Sequence, residues 1–199
     1  MSRASRFDRG DFDARYESDA PPVSDRGAQL SEPQSMVSLS APQTMRSRGV
    51  AWPIVRAQLL RVGDSVLQNR DGKGRPHKGV DLFASAGTEV YSATNGKVLR
   101  VVEGRNGQTA SQRRAGLFVD VQGEDALVYR YLHLGDARVK PGQTVTQGTV
   151  LGLVAAPFTS GLRETPHLHF EIRQGDYSSA TRDYGRPVDP TRLLPPLRA

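Results

Sequence analysis

The chain has 199 residues, 37% of them hydrophobic and 24% charged, enough for one domain with a real core and some additional sequence. No apolar run approaches the roughly 20 residues of a membrane-spanning helix, and the longest, Leu151 to Phe158, is far too short. Cysteine is absent, which excludes disulfides and thiolate metal sites and leaves His, Asp and Glu as the ligands for any transition metal.

The net charge is +6. Met1 to Arg48 holds seven Arg and seven acidic residues, which cancel, so the excess lies in Gly49 to Ala199. Positive charge draws a domain to nucleic acid, an anionic membrane or an acidic cell wall. No nucleic-acid-binding module or basic amphipathic helix is visible, so no nucleic-acid partner is expected.

Residues 1–48 lack sustained periodicity and are rich in Ser, Asp, Arg, Gln and Pro. Such a segment buries too little apolar surface to offset its chain entropy, and a disordered linker or delivery segment is expected. Charge follows the first residues where the apolar part of a secretory signal peptide would lie, so none is read there.

From Trp52 the texture changes, and 49–199 reads as one domain. Ile54 to Leu60 is compatible with a short helix. Glu89 to Ser92 is β-like and leads through Asn95-Gly96, a hairpin-turn signal, into Lys97 to Val102. Gly104 to Gly116 is polar and Gly-rich and reads as a loop. Leu117 to Val121 and Ala126 to Leu134 read as strands with Gly123 at the turn between them. Thr144-Val145 and Val150 to Val154 follow. The prolines at 187, 190, 195 and 196 argue against a C-terminal helix. Many short strands at close spacing predict an all-β, mainly antiparallel domain. Gly87-Thr-Glu-Val and Gly142-Gln-Thr-Val form an internal similarity like the half-motifs of biotinyl and lipoyl hammerhead domains. A carrier modified at Lys97 ranks low, because Asn95-Gly96 beside it is not a carrier motif.

His167-Leu-His-Phe-Glu-Ile-Arg173 alternates polar and apolar strictly, the mark of a half-buried strand. Leu168, Phe170 and Ile172 are expected in the core, with the two histidines side by side on the open face. A second context is His77-Lys-Gly-Val-Asp81, on a turn leading into a strand. A third is Tyr131-Leu-His133-Leu, where Tyr129, Tyr131 and His133 are expected to share one strand face. Each context is a weak signal alone, since an exposed histidine is the ordinary case.

Together they fit a catalytic zinc site, which uses three protein ligands and leaves a fourth position for water. His77, Asp81 and His169 supply two nitrogens and one oxygen. Zinc lowers the pKa of such a water to roughly 7. His133 and His167 remain to take its proton and to serve the oxyanion and leaving amine.

These residues resemble the lysostaphin-type zinc metallopeptidases, which cleave peptide cross-links in bacterial cell walls. The resemblance spans Trp52 to about Pro195. It rests on Trp52-Pro53, Arg75-Pro-His-Lys-Gly-Val-Asp-Leu82, Gly87-Thr-Glu-Val-Tyr-Ser-Ala93 and Tyr131-Leu-His-Leu134. Gly142 to Gly152, Pro166-His-Leu-His-Phe-Glu171 and Pro187-Val-Asp-Pro190 complete it. It implies zinc on His77, Asp81 and His169, a catalytic pair of His133 and His167, and peptidoglycan peptides as substrate. Tyr131 lies near the substrate or packs. Two stretches depart from the family pattern: 104–116, with Arg113-Arg114, and the loop 159–165, which is less Gly-rich than usual. The alternative is a non-catalytic wall-binding or hydrolase-activating module on the same fold, which missing ligands would favour; none is missing.

Without a visible export signal, synthesis in the cytoplasm is expected, followed by action at the cell wall or periplasm after signal-independent release. A phage lysin or an injected antibacterial toxin fits that route, with an inhibitor, immunity or delivery protein as the partner.

Overall fold

The computed structural model describes residues 49–63, 76–175 and 185–197. The segment expected to be disordered, 1–48, lies outside the described residues. Among the described residues ten strands form a single antiparallel sheet system. They are β1 (Arg61–Val62), β2 (Val80–Phe83), β3 (Glu89–Tyr91), β4 (Gly96–Glu103), β5 (Leu117–Gly123), β6 (Val128–Ala137), β7 (Thr144–Val145), β8 (Val150–Val154), β9 (His167–Gln174) and β10 (Arg186–Val188). Their main order is β1-β2-β9-β6-β5-β4-β7, with β3 on β8, β8 on β6 and β10 on β9. The all-β expectation and most strand positions hold.

β9 is central, pairing with β2, β6 and β10. Leu168, Phe170 and Ile172 are fully buried in the core with Val80, Leu82, Tyr129 and Tyr131, as the alternation predicts. The opposite face is not open. His169, Glu171 and Arg173 are buried as well, so both faces of this strand are covered. Period-two patterning reports polarity, and here the polar set satisfies itself by pairing rather than by meeting water.

The hairpin expected at Asn95-Gly96 does not form. β3 pairs with β8, while Gly96 opens β4 opposite Gly123 of β5 and Val145 of β7. A Cβ at Gly96 would overlap the Gln122 carbonyl, so the glycine serves close strand approach. The internal similarity is real in the backbone. Gly87 N–H donates to Val154 O while Val154 N–H donates to Thr88 O. In the second copy, Gly142 N–H donates to Val98 O and Val98 N–H to Gln143 O.

The polar stretch 104–116 is not all loop. It holds a short helix, α1 (Ala110–Ala115), opened by a capping box between Thr109 and Gln112. Thr-x-x-Gln was the available signal, masked by the flanking glycines. Within Ile54 to Leu60 only Arg56–Gln58 makes a 3-10 turn.

Candidate metal and catalytic site

The β2–β9 register sets the site. Asp81 lies directly opposite His169, and His77 reaches them from the turn before β2. His169 Nδ1 is 2.8 Å from Asp81 Oδ1 and 3.0 Å from His77 Nε2, and the third edge, His77 Nε2 to Asp81 Oδ1, is 3.3 Å. Zinc holds N and O ligands at about 2.0–2.2 Å, which puts tetrahedral ligand atoms about 3.3 Å apart. The triangle is therefore close to one face of a zinc tetrahedron, with two edges shorter by about 0.3 to 0.5 Å. The proton count agrees. His169 Nε2 lies 3.0 Å from Glu171 Oε1, an acceptor, so Nε2 carries hydrogen and donates. In the neutral ring, Nδ1 then aims a lone pair at the Asp81 carboxylate, which calls for a positive centre between them. In the metal-free protein that centre is a proton. Burial alone would lower the His169 pKa, but Asp81 and Glu171 outweigh it and push it up to about 9. Burial likewise opposes ionisation of Asp81, yet His169 and His77 hold its carboxyl far below the usual range.

His133 reaches this site by a break in its strand. Phe118 pairs with Leu132 and Leu117 with Leu134, leaving His133 as the extra residue of a β-bulge with φ of 65°. The expectation that His133 shares a face with Tyr129 and Tyr131 is therefore overturned. Both tyrosines point into the core beside Phe170, with ring centroids 6.3 and 5.2 Å from it. The bulge turns His133 the other way, edge-on to His167 at 5.1 Å and to His169 at 6.0 Å. Tyr131 packs: it is fully buried and its hydroxyl oxygen accepts from Ala93 N–H at 2.9 Å.

The two spare histidines are oriented alike. His133 Nδ1 lies 3.0 Å from Ser160 O, and His167 Nδ1 lies 2.9 Å from Thr165 O. A carbonyl only accepts, so both Nδ1 atoms carry hydrogen, and a neutral ring then holds its lone pair on Nε2. His167 Nε2 is 3.5 Å from Asp81 Oδ2. Burial, then the charges of His169 and His167, lowers the His133 pKa to about 3, so the ring stays neutral at neutral pH.

Peptidase family M23 matches residues 75–190, the segment that carries all five of these side chains. The chain belongs to that family. Among curated M23 relatives, the cell division protein DipM of Caulobacter vibrioides is 37% identical over 124 residues, 62% of this chain and 18% of DipM. Peptidoglycan DD-endopeptidase ShyA of Vibrio cholerae is 35% identical over 97 residues, 49% of this chain and 20% of ShyA. The aligned part is thus about a fifth of each relative's length. A zinc-containing peptidase from Vibrio cholerae superposes with a TM-score of 0.57 at 29% identity, covering 74% of this chain and 41% of that one. The catalytic domain of lysostaphin from Staphylococcus simulans superposes with a TM-score of 0.53 at 25% identity, covering 66% and 90%.

Behind this M23 site runs a largely buried row of charges that the histidine motifs did not announce. Arg100, Asp120, Arg130 and Glu171 lie directly opposite one another across β4, β5, β6 and β9. Asp120 accepts from Arg100 at 2.6 Å and from Arg130 at 2.9 Å. Glu171 Oε2 accepts from Arg173 at 2.6 and 2.9 Å, and Arg130 stands 3.7 Å away. Burial opposes ionisation of Glu171, but His169, Arg173 and Arg130 hold its pKa near 2. Glu171 thereby fixes the ring of His169, as carboxylates behind metal-bound histidines do. The signal was the alternation itself, which puts Glu171 beside His169.

Proposed function

We propose that this chain is a zinc-dependent endopeptidase that hydrolyses peptide cross-links of bacterial peptidoglycan. The observation that carries the reading is the His77–Asp81–His169 triangle, with edges of 2.8 to 3.3 Å, flanked by two histidines each held through Nδ1 by a backbone carbonyl. Zinc, when bound, supplies a Lewis acid that polarises the scissile carbonyl and acidifies the attacking water. The rest is done by side chains. His133, neutral and tied through Nδ1 to Ser160, has the protonation state needed to accept a proton. His167, beside Asp81 and tied to Thr165, is placed to hold a proton near the same point. The two share the tasks of taking the water's proton, steadying the oxyanion and protonating the leaving amine.

Peptidoglycan as substrate is supported by ShyA, a relative named for that activity, and by the basic charge of residues 49–199. The place of action then is the cell wall; among the described residues no helix is long and apolar enough to cross a membrane. Zinc-loaded protein is expected to release soluble muropeptides from purified sacculi. Intact sacculi, with zinc bound, would instead favour a non-catalytic wall-binding module.

A further inference from the structure

The two stretches that depart from the family pattern, far apart in sequence, meet in space. Leu117 N–H donates to Ser160 Oγ at 2.8 Å. Gly116 and Gly161 allow the backbones to touch: a Cβ at Gly116 would overlap the Ser160 carbonyl, and one at Gly161 the Arg114 carbonyl. Between α1 and this loop opens a cavity of about 520 Å³, lined among others by Arg105, Arg113, Arg114, Phe158, Ser160 and Leu162.

The lining has a definite chemistry. Arg105 is paired with Glu103. Arg113 Nη1 donates to the Gly107 and Gln108 carbonyls at 2.7 and 2.9 Å, which fixes its head without neutralising it. Among the described residues no carboxylate pairs with Arg114. Two positive charges therefore remain uncompensated at the cavity. Phe158 stands beside them 76% exposed, on a left-handed backbone with φ of 59° that few non-glycine residues adopt. Ser160 joins the cavity to the site, since its carbonyl is the acceptor that orients His133.

We propose that this cavity is a substrate subsite for a carboxylate-bearing peptide, with Arg113 and Arg114 taking the carboxylate and Phe158 covering apolar parts of the same chain. It rests on the peptidase reading and specifies which peptides that site accepts. Arginine suits the role because its planar fork matches a carboxylate.

The test uses a fluorescently labelled cross-linked stem peptide with free carboxylates and its fully amidated counterpart, each measured for binding and for cleavage by the zinc-loaded full chain. The acid is expected to be preferred roughly two- to fivefold, within the range for a solvent-open charge pair, with the difference in Kd and KM rather than kcat. Arg114→Ala brings the ratio towards one, and Arg114→Glu reverses it. Lys97→Ala keeps the preference; Lys97 is exposed at the other end of β4, about 20 Å from Glu103 at 3.3 Å per residue. Equal handling of acid and amide by the parent, or a preference that survives both Arg114 variants, overturns the proposal. Preferential binding of the acid, lost on Arg114→Ala, without any cleavage upholds the subsite while counting against the peptidase.

Discussion

The carbonyl oxygen of Ser160 accepts a hydrogen bond from His133 Nδ1 at 3.0 Å, and it is pressed into place by a residue with no side chain, Gly116. A methyl group at Gly116 would displace that carbonyl, at a backbone φ of 63° that alanine also resists. Gly116→Ala should cost about 1–3 kcal/mol of stability and release the His133 ring. Peptidase turnover should fall at least tenfold while zinc stays bound. Thermal melting, metal content and turnover on one preparation check this; unchanged turnover would separate Ser160 from catalysis.

The ligands and the flanking histidines should respond differently to truncation. His169→Ala removes one corner of the triangle and should lose zinc. His133→Ala and His167→Ala leave all three corners and should keep it, with turnover reduced by about 10²–10⁴. Metal analysis after gel filtration distinguishes them. Equal zinc loss in all three would refute this division of roles.

Glu171→Gln keeps the shape but removes the charge behind His169. Loss of such a partner typically weakens metal binding 10–100-fold, and an increase in zinc Kd of that size is expected in a chelator competition. Because Arg173 and Arg130 face the same carboxylate, stability should fall too. Unchanged zinc affinity would reduce Glu171 to a structural ion-pair partner.

Zinc binding should depend on pH with a definite sign. The metal-free protein holds a proton on His169 up to about pH 9, and zinc must displace it. Apparent affinity should therefore rise at least tenfold per pH unit from 7 to 9 and less steeply above, with about one proton released from His169 per zinc at pH 8 in addition to any given up by the bound water, read by calorimetry in buffers of different ionisation enthalpy. In the same metal-free protein the raised His169 pKa contributes stability below its unfolded value of 6.5, lost as pH rises through about 9. His133 does the reverse: its contribution is present above 6.5 and lost as pH falls towards about 3.

Tyr131→Phe tests the packing assignment. It leaves the Ala93 N–H buried without its acceptor, which costs about 1–3 kcal/mol. The melting temperature should drop while kcat and KM on a good substrate hold. A large change in KM at constant stability would return Tyr131 to the substrate.

Local rules made much of this protein legible before folding was considered. Strict alternation placed Leu168, Phe170 and Ile172 in the core, and the absence of cysteine narrowed the metal ligands to His, Asp and Glu. Residue order and motif spacing carried the family, because five side chains that converge in space leave five marks on the chain. Three features were decided only by the folded chain. Strand pairing placed β3 on β8 instead of its neighbour β4. A one-residue bulge carried His133 across the sheet to the side of His167 and His169. Four strands had to come into register before Arg100, Asp120, Arg130 and Glu171 formed a row. Alternation is a property of one strand and can be read along it; register, bulges and buried charge pairing are relations between strands, and they have no value until the strands have met.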